Sequence, residues 1–480
     1  MDASLSSPSL PFTDVKVSTI RPLQKSDHVD TIDATFLDMQ YQDICFPLLF
    51  AFRLAVKSES LFSQQVERIK ESLQQVLVSF FSYAGRWIPD PVVCSKRKLL
   101  CNDEGVPFID AYLDRDLDSV VKLSAAFQPV PELQGFGFLG LDVTQFKRQM
   151  PPGGLPCMFV QITRFKCGGV TFAVTFNHTL TDGTGFVKFM QAWVDLNNTN
   201  QVKTFEVDHD RAKIEAPSMK TSVSGSTQKS NTSSLNGANN GAAPGPLQGR
   251  TWLMKSFEVS VSTIAAIKQE GKEREGGAYV STVDCIAAHL WKSLAGIPSS
   301  ILGGKDVLVV STVEGRTRFY DTPLSNVSAN VLSLMLAPKI PSDELREMPL
   351  TSIASKLRDT LQRTRREEWL DLEKFESFTS NEFAAVQVTS WLRFPVYTLD
   401  FGWGKPVLCS LNTSMYFNDR LGKVYLTPPL PSSPSSIATV QIFSSHGVIQ
   451  ALEHDPNFQA FFMAPQHKET QLSESVWRSS

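Results

Sequence analysis

The stretch from Met158 to Gly185, MFVQITRFKCGGVTFAVTFNHTLTDGTG, carries the reading of the fold. Met158 to Phe165 and Val170 to Phe176 alternate apolar and polar residues, and Cys167-Gly168-Gly169 lies between them. A period of two on either side of a Gly-containing turn predicts a β-hairpin. Its second strand runs into Asn177-His178-Thr179-Leu180-Thr181-Asp182-Gly183-Thr184-Gly185. His178 therefore stands where a regular strand ends and a Gly-rich turn begins. Beyond the turn, Phe186, Met190, Trp193 and Val194 recur at helical spacing as far as Leu196.

The same mixture continues outward. Val66, Ile69, Leu73, Val76, Leu77 and Phe80 give a helix over Gln64 to Gly85, with Gly85 as the expected stop. Val283 to Leu294 reads as a helix with Thr282 as its cap, and Val307 to Val313 as a buried strand. Between them, residues 213–249 are dominated by Ser, Thr, Asn, Gly and Pro, the composition of a flexible linker. The expected organisation is an N-terminal lobe over 1–212, the linker over 213–249, and a C-terminal lobe over 250–480. Helices and strands in both lobes predict α/β layers.

The 480 residues carry 46 basic and 49 acidic side chains, a formal charge of −3, so the chain offers nothing to a polyanion and nucleic acid is not an expected partner. No apolar run reaches the roughly 18 residues of a membrane span; Arg53 ends the greasiest one, Cys45 to Phe52. Met1 to Thr13 has neither a basic nor an apolar signal region, which points to a cytoplasmic protein. The seven cysteines form no C-x-x-C pair, so no metal site is expected from them and free thiols are.

A histidine at such a turn can act as a general base, because its ordinary pKa of about 6.5 lies near working pH. Asp182, four residues on, could orient it or hold the loop through an arginine. A plain structural histidine beside an Asp-Gly turn is the competing reading. A second feature is Thr389-Ser390-Trp391-Leu392-Arg393-Phe394-Pro395-Val396-Tyr397-Thr398-Leu399-Asp400-Phe401-Gly402-Trp403-Gly404-Lys405-Pro406, an aromatic-rich strand entering a turn with two glycines around a tryptophan. By itself it reads as a packing corner in which Asp400 makes a fixed hydrogen bond and the Trp403 N–H needs a partner.

Together the two features resemble the plant BAHD acyltransferases, whose hallmarks are His-x-x-x-Asp-Gly near mid-chain and Asp-Phe-Gly-Trp-Gly near the C-terminus. Here they stand intact as His178 to Gly183 and Asp400 to Gly404. Phe80 to Trp87, Gln161 to Gly169 and Ser281 to Trp291 resemble further family segments in the right order, so the likeness spans nearly the whole chain. It is closest to the hydroxycinnamoyltransferase branch.

The resemblance implies two chloramphenicol-acetyltransferase-like lobes, each a mixed sheet with helices, and an active-site channel between them. It implies acyl transfer from coenzyme A to an alcohol or amine, with His178 as base and no acyl-enzyme. Asp182 would pair with Arg316, or failing that Arg318, to hold the loop, and Asp400, Gly402, Trp403 and Gly404 would be structural. Thr389 and Trp391 would line the pocket, and Ser281 or Lys268 would meet the coenzyme's phosphates. Acyl-CoA is a co-substrate; no bound cofactor or metal is implied, and a monomer is expected. His289, on a helix before Trp291, is read as a core residue.

Two departures matter. Where the family often carries Tyr-Phe-Gly-Asn, Pro323 to Asn330 keeps only the final Asn. Hydroxycinnamoyltransferases that use shikimate-like acids have an arginine shortly before the Thr-Ser-Trp element, and between Phe375 and Ser390 this chain has no basic residue. A neutral or largely apolar acceptor is therefore expected; the resemblance to the hydroxycinnamoyltransferase branch implies an aromatic acyl donor, with a fatty acyl or acetyl donor as the alternative. The rival is a non-catalytic relative that partners a lipid-elongating enzyme. Condensation-type and carnitine-type transferases share His-x-x-x-Asp, but the Asp400 to Gly404 segment argues against them.

Overall fold

The computed structural model describes residues 12–25, 29–41, 44–54, 58–91, 97–118, 153–199, 201, 203–214, 252–273, 279–304, 306–320, 324–364, 383–411 and 421–463. The start of the chain, nearly all of the 213–249 segment, and residues 375–382 of the stretch without a basic residue lie outside them.

The strands are β1 (Phe12–Ile20), β2 (Thr31–Asp33), β3 (Cys45–Phe52), β4 (Arg86–Pro89), β5 (Arg97–Leu100), β6 (Val106–Leu113), β7 (Leu155–Pro156), β8 (Met158–Phe165) and β9 (Val170–Asn177), then β10 (Trp252–Ser260), β11 (Asp306–Glu314), β12 (Leu332–Leu336), β13 (Phe383–Ser390), β14 (Leu408–Leu411), β15 (Leu421–Thr427), β16 (Ser436–Ser445) and β17 (Phe462–Met463). They form a six-stranded sheet in the order β1-β6-β8-β9-β3-β14, a seven-stranded sheet in the order β12-β11-β13-β15-β16-β10-β17, and a four-stranded sheet β2-β5-β4-β7. Both large sheets are mixed, with β6/β8, β11/β13 and β13/β15 running parallel. The hairpin is present: β8 pairs antiparallel with β9, Met158 opposite Phe176.

The helices used below are α1 (Phe36–Met39), α2 (Glu59–Ser79), α3 (Gly183–Thr199), α4 (Val261–Glu273), α5 (Thr282–Ala295), α6 (Leu350–Arg363), α7 (His446–His454) and α8 (Pro456–Phe461). On the first sheet, Phe46, Phe50, Val174 and Phe176 bury against α2 and α3. The Trp193 indole of α3 donates to Ser72 Oγ of α2 at 3.0 Å, tying the two helices together. On the second sheet, Val388, Val424, Leu426 and Val440 bury against Ile286, Leu290 and Trp291 of α5 and Leu357 of α6. Each such side chain contributes roughly 1.5–3 kcal/mol of apolar burial. The opposite face of this sheet carries polar residues, Thr312, Gln387, Thr389 and Lys423, among apolar ones such as Val310, Tyr425 and Phe443.

Three local expectations change. α2 ends at Ser79, and a short 3-10 turn over Phe81–Ala84 separates it from Gly85, which leads into β4 instead of ending the helix. Thr282 is the first residue of α5; the cap is Ser281, whose hydroxyl accepts from the Asp284 N–H while the Asp284 carboxylate accepts from the Ser281 N–H. The division at 213–249 is not a clean boundary between sheets. β14, from the C-terminal half, completes the first sheet against β3, and Phe401 and Trp403 fill the first core. The six described cysteines are free thiols.

Candidate active site

β9 delivers His178 to the junction of the two sheets. The Asn177 side chain accepts from the Thr179 N–H at 3.0 Å and turns the chain immediately after the strand. The His178 N–H donates to the Ile44 carbonyl at 2.7 Å, which fixes the backbone beneath the ring. Tyr41 stacks on the imidazole with centroids 4.2 Å apart, and Phe46 meets it edge-on at 5.7 Å. Burial among these rings pulls the His178 pKa below its ordinary value, so the ring is held neutral; Asp182 and Asn330 oppose this shift and Lys423 adds to it.

Asn330 sets the tautomer. Its Nδ2 donates to the His178 carbonyl at 2.7 Å and to Asp38 Oδ1 at 2.9 Å. Two acceptors around Nδ2 fix the amide orientation, so Oδ1 is the atom 3.1 Å from His178 Nδ1. Oδ1 only accepts; Nδ1 therefore carries the proton, and Nε2 keeps the lone pair. Asp38 is itself held by its capping box with Thr35, by the Asn330 N–H at 3.0 Å, and by an ion pair with buried Arg211. A chain of buried polar groups thus runs from Arg211 through Asp38 and Asn330 to the imidazole.

Asp182 is fully buried and faces away from this chain of contacts. Its Oδ2 accepts from Arg316 Nη1 at 2.7 Å and from the Val331 N–H at 2.9 Å, and its Oδ1 from the Gly185 N–H at 3.0 Å. Arg316, only 2% exposed, also donates to the Ala329 carbonyl at 2.7 Å and to Glu314 at 3.0 Å. Burial works against its charge, but Asp182 and Glu314 outweigh burial and raise its pKa. Arg318 is exposed, and Arg316 is the partner. The loop tolerates no side chain at Gly185, where a Cβ would lie 2.1 Å from Thr181 Oγ1.

Trp391 lies against this loop, stacked 5.7 Å from Phe46, and Thr389 shares a hydrogen bond with Thr312 at 2.9 Å. The Asp400 to Gly404 segment packs on the first core. Asp400 Oδ1 accepts from the Gly402 and Gly404 N–H groups at 2.8 and 2.9 Å. Phe401 stands 4.8 Å from Phe172, and Trp403 stacks on Phe62 at 6.0 Å. The Trp403 N–H has no protein partner among the described residues, contrary to expectation. Gly402, at φ +88°, is pressed against Gln65, whose side chain donates to the Phe401 carbonyl at 2.6 Å.

Ser281 and Lys268 come together at the start of α5, where Lys268 donates to Thr282 Oγ1 at 3.0 Å, but the Ser281 hydroxyl is engaged in the helix cap. Asp284 there also holds Arg358 at 2.8 Å. His289 stacks on Phe461 at 4.0 Å, and burial lowers its pKa to about 4. No cluster of His, Cys, Asp or Glu among the described residues fits a metal ion. No described helix is long and apolar enough to cross a membrane.

Residues at the site that sequence spacing did not single out are Asp38, Tyr41, Phe46 and Lys423. Asn330 was visible only as the last residue of a degraded motif. It lies 152 residues from His178, and no local periodicity joins them.

The family model described as the Transferase family matches residues 10–446. Agmatine hydroxycinnamoyltransferase 1 of Oryza sativa subsp. japonica is 26% identical, over 86% of this chain and 91% of its own. Anthranilate N-benzoyltransferase protein 1 of Dianthus caryophyllus is 25% identical, over 78% and 82%. Among solved structures, vinorine synthase superposes with a TM-score of 0.65 at 20% identity, covering 91% of this chain and 95% of that one. F. sporotrichioides TRI101 complexed with coenzyme A and T-2 gives 0.63 at 15%, over 90% and 99%. The fold is thus the two-lobed architecture of these transferases, and the chain belongs to the Transferase family, as a BAHD acyl-CoA-dependent acyltransferase.

Proposed function

We propose that the chain transfers an aromatic acyl group, of the hydroxycinnamoyl class, from coenzyme A to the hydroxyl or amine of a small acceptor, with His178 as general base. The observation that carries this reading is the oriented imidazole: neutral, with Nδ1–H committed to Asn330 and Nε2 left basic. The acceptor O–H or N–H gives its proton to Nε2 as its heteroatom attacks the thioester carbonyl. The tetrahedral oxyanion collapses, the C–S bond breaks, and the imidazolium returns the proton to the departing thiolate. General base catalysis of this kind supplies roughly 10²–10⁴-fold, and positioning and charge stabilisation supply the rest.

Asp182 and Arg316 act on this chemistry by holding the loop. Thr389 and Trp391 line the acyl and acceptor space, and Ser281 or Lys268 receives the coenzyme. Asp400, Gly402, Trp403 and Gly404 keep the first core closed. The aromatic donor is supported by the rice and carnation relatives, named for hydroxycinnamoyl and benzoyl transfer. The protein is proposed to work as a cytoplasmic monomer.

The test is free-thiol release from p-coumaroyl-, feruloyl-, benzoyl-, acetyl- and palmitoyl-CoA, each with pooled alcohols and amines, by wild type and His178→Ala. Acceptor-dependent release that His178→Ala loses by at least about 10²-fold is expected. Folded protein that binds acyl-CoA and releases no thiol with any pair would instead favour the non-catalytic partner.

A further inference from the structure

Tyr41 follows α1 in the segment leading to β3, and its ring lies flat on the His178 imidazole, centroids 4.2 Å apart and planes 14° from parallel. Its backbone is pinned there. The Tyr41 N–H donates to the Asp38 carbonyl at 3.0 Å, and its own carbonyl accepts from the Ile44 N–H at 3.1 Å and Thr179 Oγ1 at 3.3 Å. Phenylalanine would stack equally well. What tyrosine adds is a hydroxyl, and that hydroxyl has no hydrogen-bond partner among the described residues. Asn330, Asp182 and Thr389 are each spent inside the protein, on His178 and Asp38, on Arg316, and on Thr312. Trp391 packs on Phe46 and Phe394, one ring further from the imidazole. An unpaired hydroxyl stacked on the base costs free energy unless a substrate atom meets it.

Desolvation lifts the Tyr41 pKa well above the ordinary phenol value, and Asp182 and Tyr425 push it the same way. The phenol therefore keeps its proton and offers a donor at every working pH. Tyr425, on β15 and 6.3 Å from Phe46, faces the same space from the second sheet. A path from Nε2 through the acceptor heteroatom, the carbonyl carbon and its oxygen to a donor comprises two hydrogen bonds and two covalent bonds, roughly 6–8 Å. A ring stacked at 4.2 Å keeps its hydroxyl within that span of Nε2. We propose that Tyr41 is a catalytic residue, its phenol donating a hydrogen bond to the oxyanion that forms from the thioester carbonyl. As the acceptor's lone pair makes the new bond to the carbonyl carbon, the C=O π pair moves onto oxygen and the acceptor's proton goes to Nε2. When the carbonyl re-forms, the C–S pair leaves with sulfur and the imidazolium proton follows it. Tyr41 keeps its own proton throughout. Its hydrogen bond strengthens in the transition state, because the full charge on oxygen exists only there. The inference rests on the acyl-transfer reading.

The test compares full-length wild type with Tyr41→Phe, which keeps the stack and removes only the hydroxyl. With the best acyl-CoA and acceptor found by thiol release, kcat should fall at least about tenfold, and as far as the roughly 10²–10³-fold that a missing oxyanion donor costs. Both KM values should stay within about twofold, and the acid limb of kcat/KM, which belongs to His178, should not move. A Tyr41→Phe kcat within about twofold of wild type overturns the inference, as does a loss that falls on KM alone. Where wild type releases no thiol with any pair, the acyl-transfer reading fails and calorimetric binding decides this one. The probe is S-(3,3,3-trifluoroacetonyl)-CoA, whose hydrated ketone mimics the tetrahedral intermediate, against S-acetonyl-CoA. Wild type should bind the fluorinated compound at least about tenfold tighter, and Tyr41→Phe should lose that margin. No margin in wild type, or the same margin in both proteins, overturns the inference.

Discussion

Replacing Asn330 with leucine keeps the volume of the side chain and removes every polar contact it makes with the imidazole. Two bonds are lost at His178, the 3.1 Å contact that fixes Nδ1–H and the 2.7 Å contact to the carbonyl beneath the ring. Neutral hydrogen bonds of this kind contribute about 0.5–1.5 kcal/mol each, so about 1–3 kcal/mol of orientation is removed. At 1.36 kcal/mol per decade this is a fall in kcat of about five- to 150-fold. KM should hardly move, because Asn330 acts through His178 and not on the substrate. Steady-state kinetics over pH 5–9 give a second readout. The neutral ring is the competent form, and its pKa is depressed by burial, so wild-type kcat/KM should fall only as pH drops below about 6.5. Asn330→Asp sets a carboxylate beside the ring, raises its pKa and should move that limb upward. A folded Asn330→Leu protein whose kcat stays within twofold of wild type would refute the tautomer argument.

Asp182→Ala removes the buried partner of Arg316 and leaves it only the part-exposed Glu314, so the loss should stay below the roughly 3–5 kcal/mol of a buried charge left alone; urea unfolding reads it, with activity lost in parallel. Gly402→Ala and Gly404→Ala should differ although both sites have positive φ, +88° and +85°. At Gly402 the new Cβ lies 2.7 Å from Gln65, whereas at Gly404 it meets nothing within 4 Å. Thermal unfolding should show Gly404→Ala costing about 1–2 kcal/mol of backbone strain, and Gly402→Ala about 0.5–1.5 kcal/mol more, as the Gln65 amide is pushed off the Phe401 carbonyl. His289 has a folded pKa of about 4 against about 6.5 unfolded, so the unfolded chain binds the extra proton first. Stability is full above pH 6.5 and falls as pH drops toward 4, by about 3 kcal/mol in total; His289→Phe should flatten that slope in melts at pH 4.5 and 7.5.

What could be read in the sequence was whatever is written at short range. The hairpin, its turn histidine and the helix after it lie within one stretch of alternating and then helical periodicity, and β8, β9 and α3 follow it closely. Asp182 and Arg316 were legible as a pair only through resemblance, since 134 residues separate them. Asn330, Asp38 and Tyr41 were not legible as site residues, because the loop and the short helix that bring them to His178 have no periodic signal. Lys423 was missed for a geometric reason. The chain between Phe375 and Ser390 holds no basic residue, whereas the side chain beside Gln387 belongs to the adjacent strand. Gly85 was misread because a 3-10 turn occupies the space where a helix cap was expected.

The strand β14 has a consequence for how the protein is made. β3, Cys45 to Phe52, is buried along its whole length and pairs on one side with β9 and on the other with β14. During synthesis the first half of the chain emerges with that second edge bare, and with the places of Phe401 and Trp403 in its core unfilled. Both gaps close only when residues 401–411 have left the ribosome, after β10 to β13 of the second sheet. The first lobe is therefore the first to be translated, yet it stays unfinished until most of the chain has been made. In the interval it presents an apolar, hydrogen-bond-hungry strand edge to any neighbouring nascent chain.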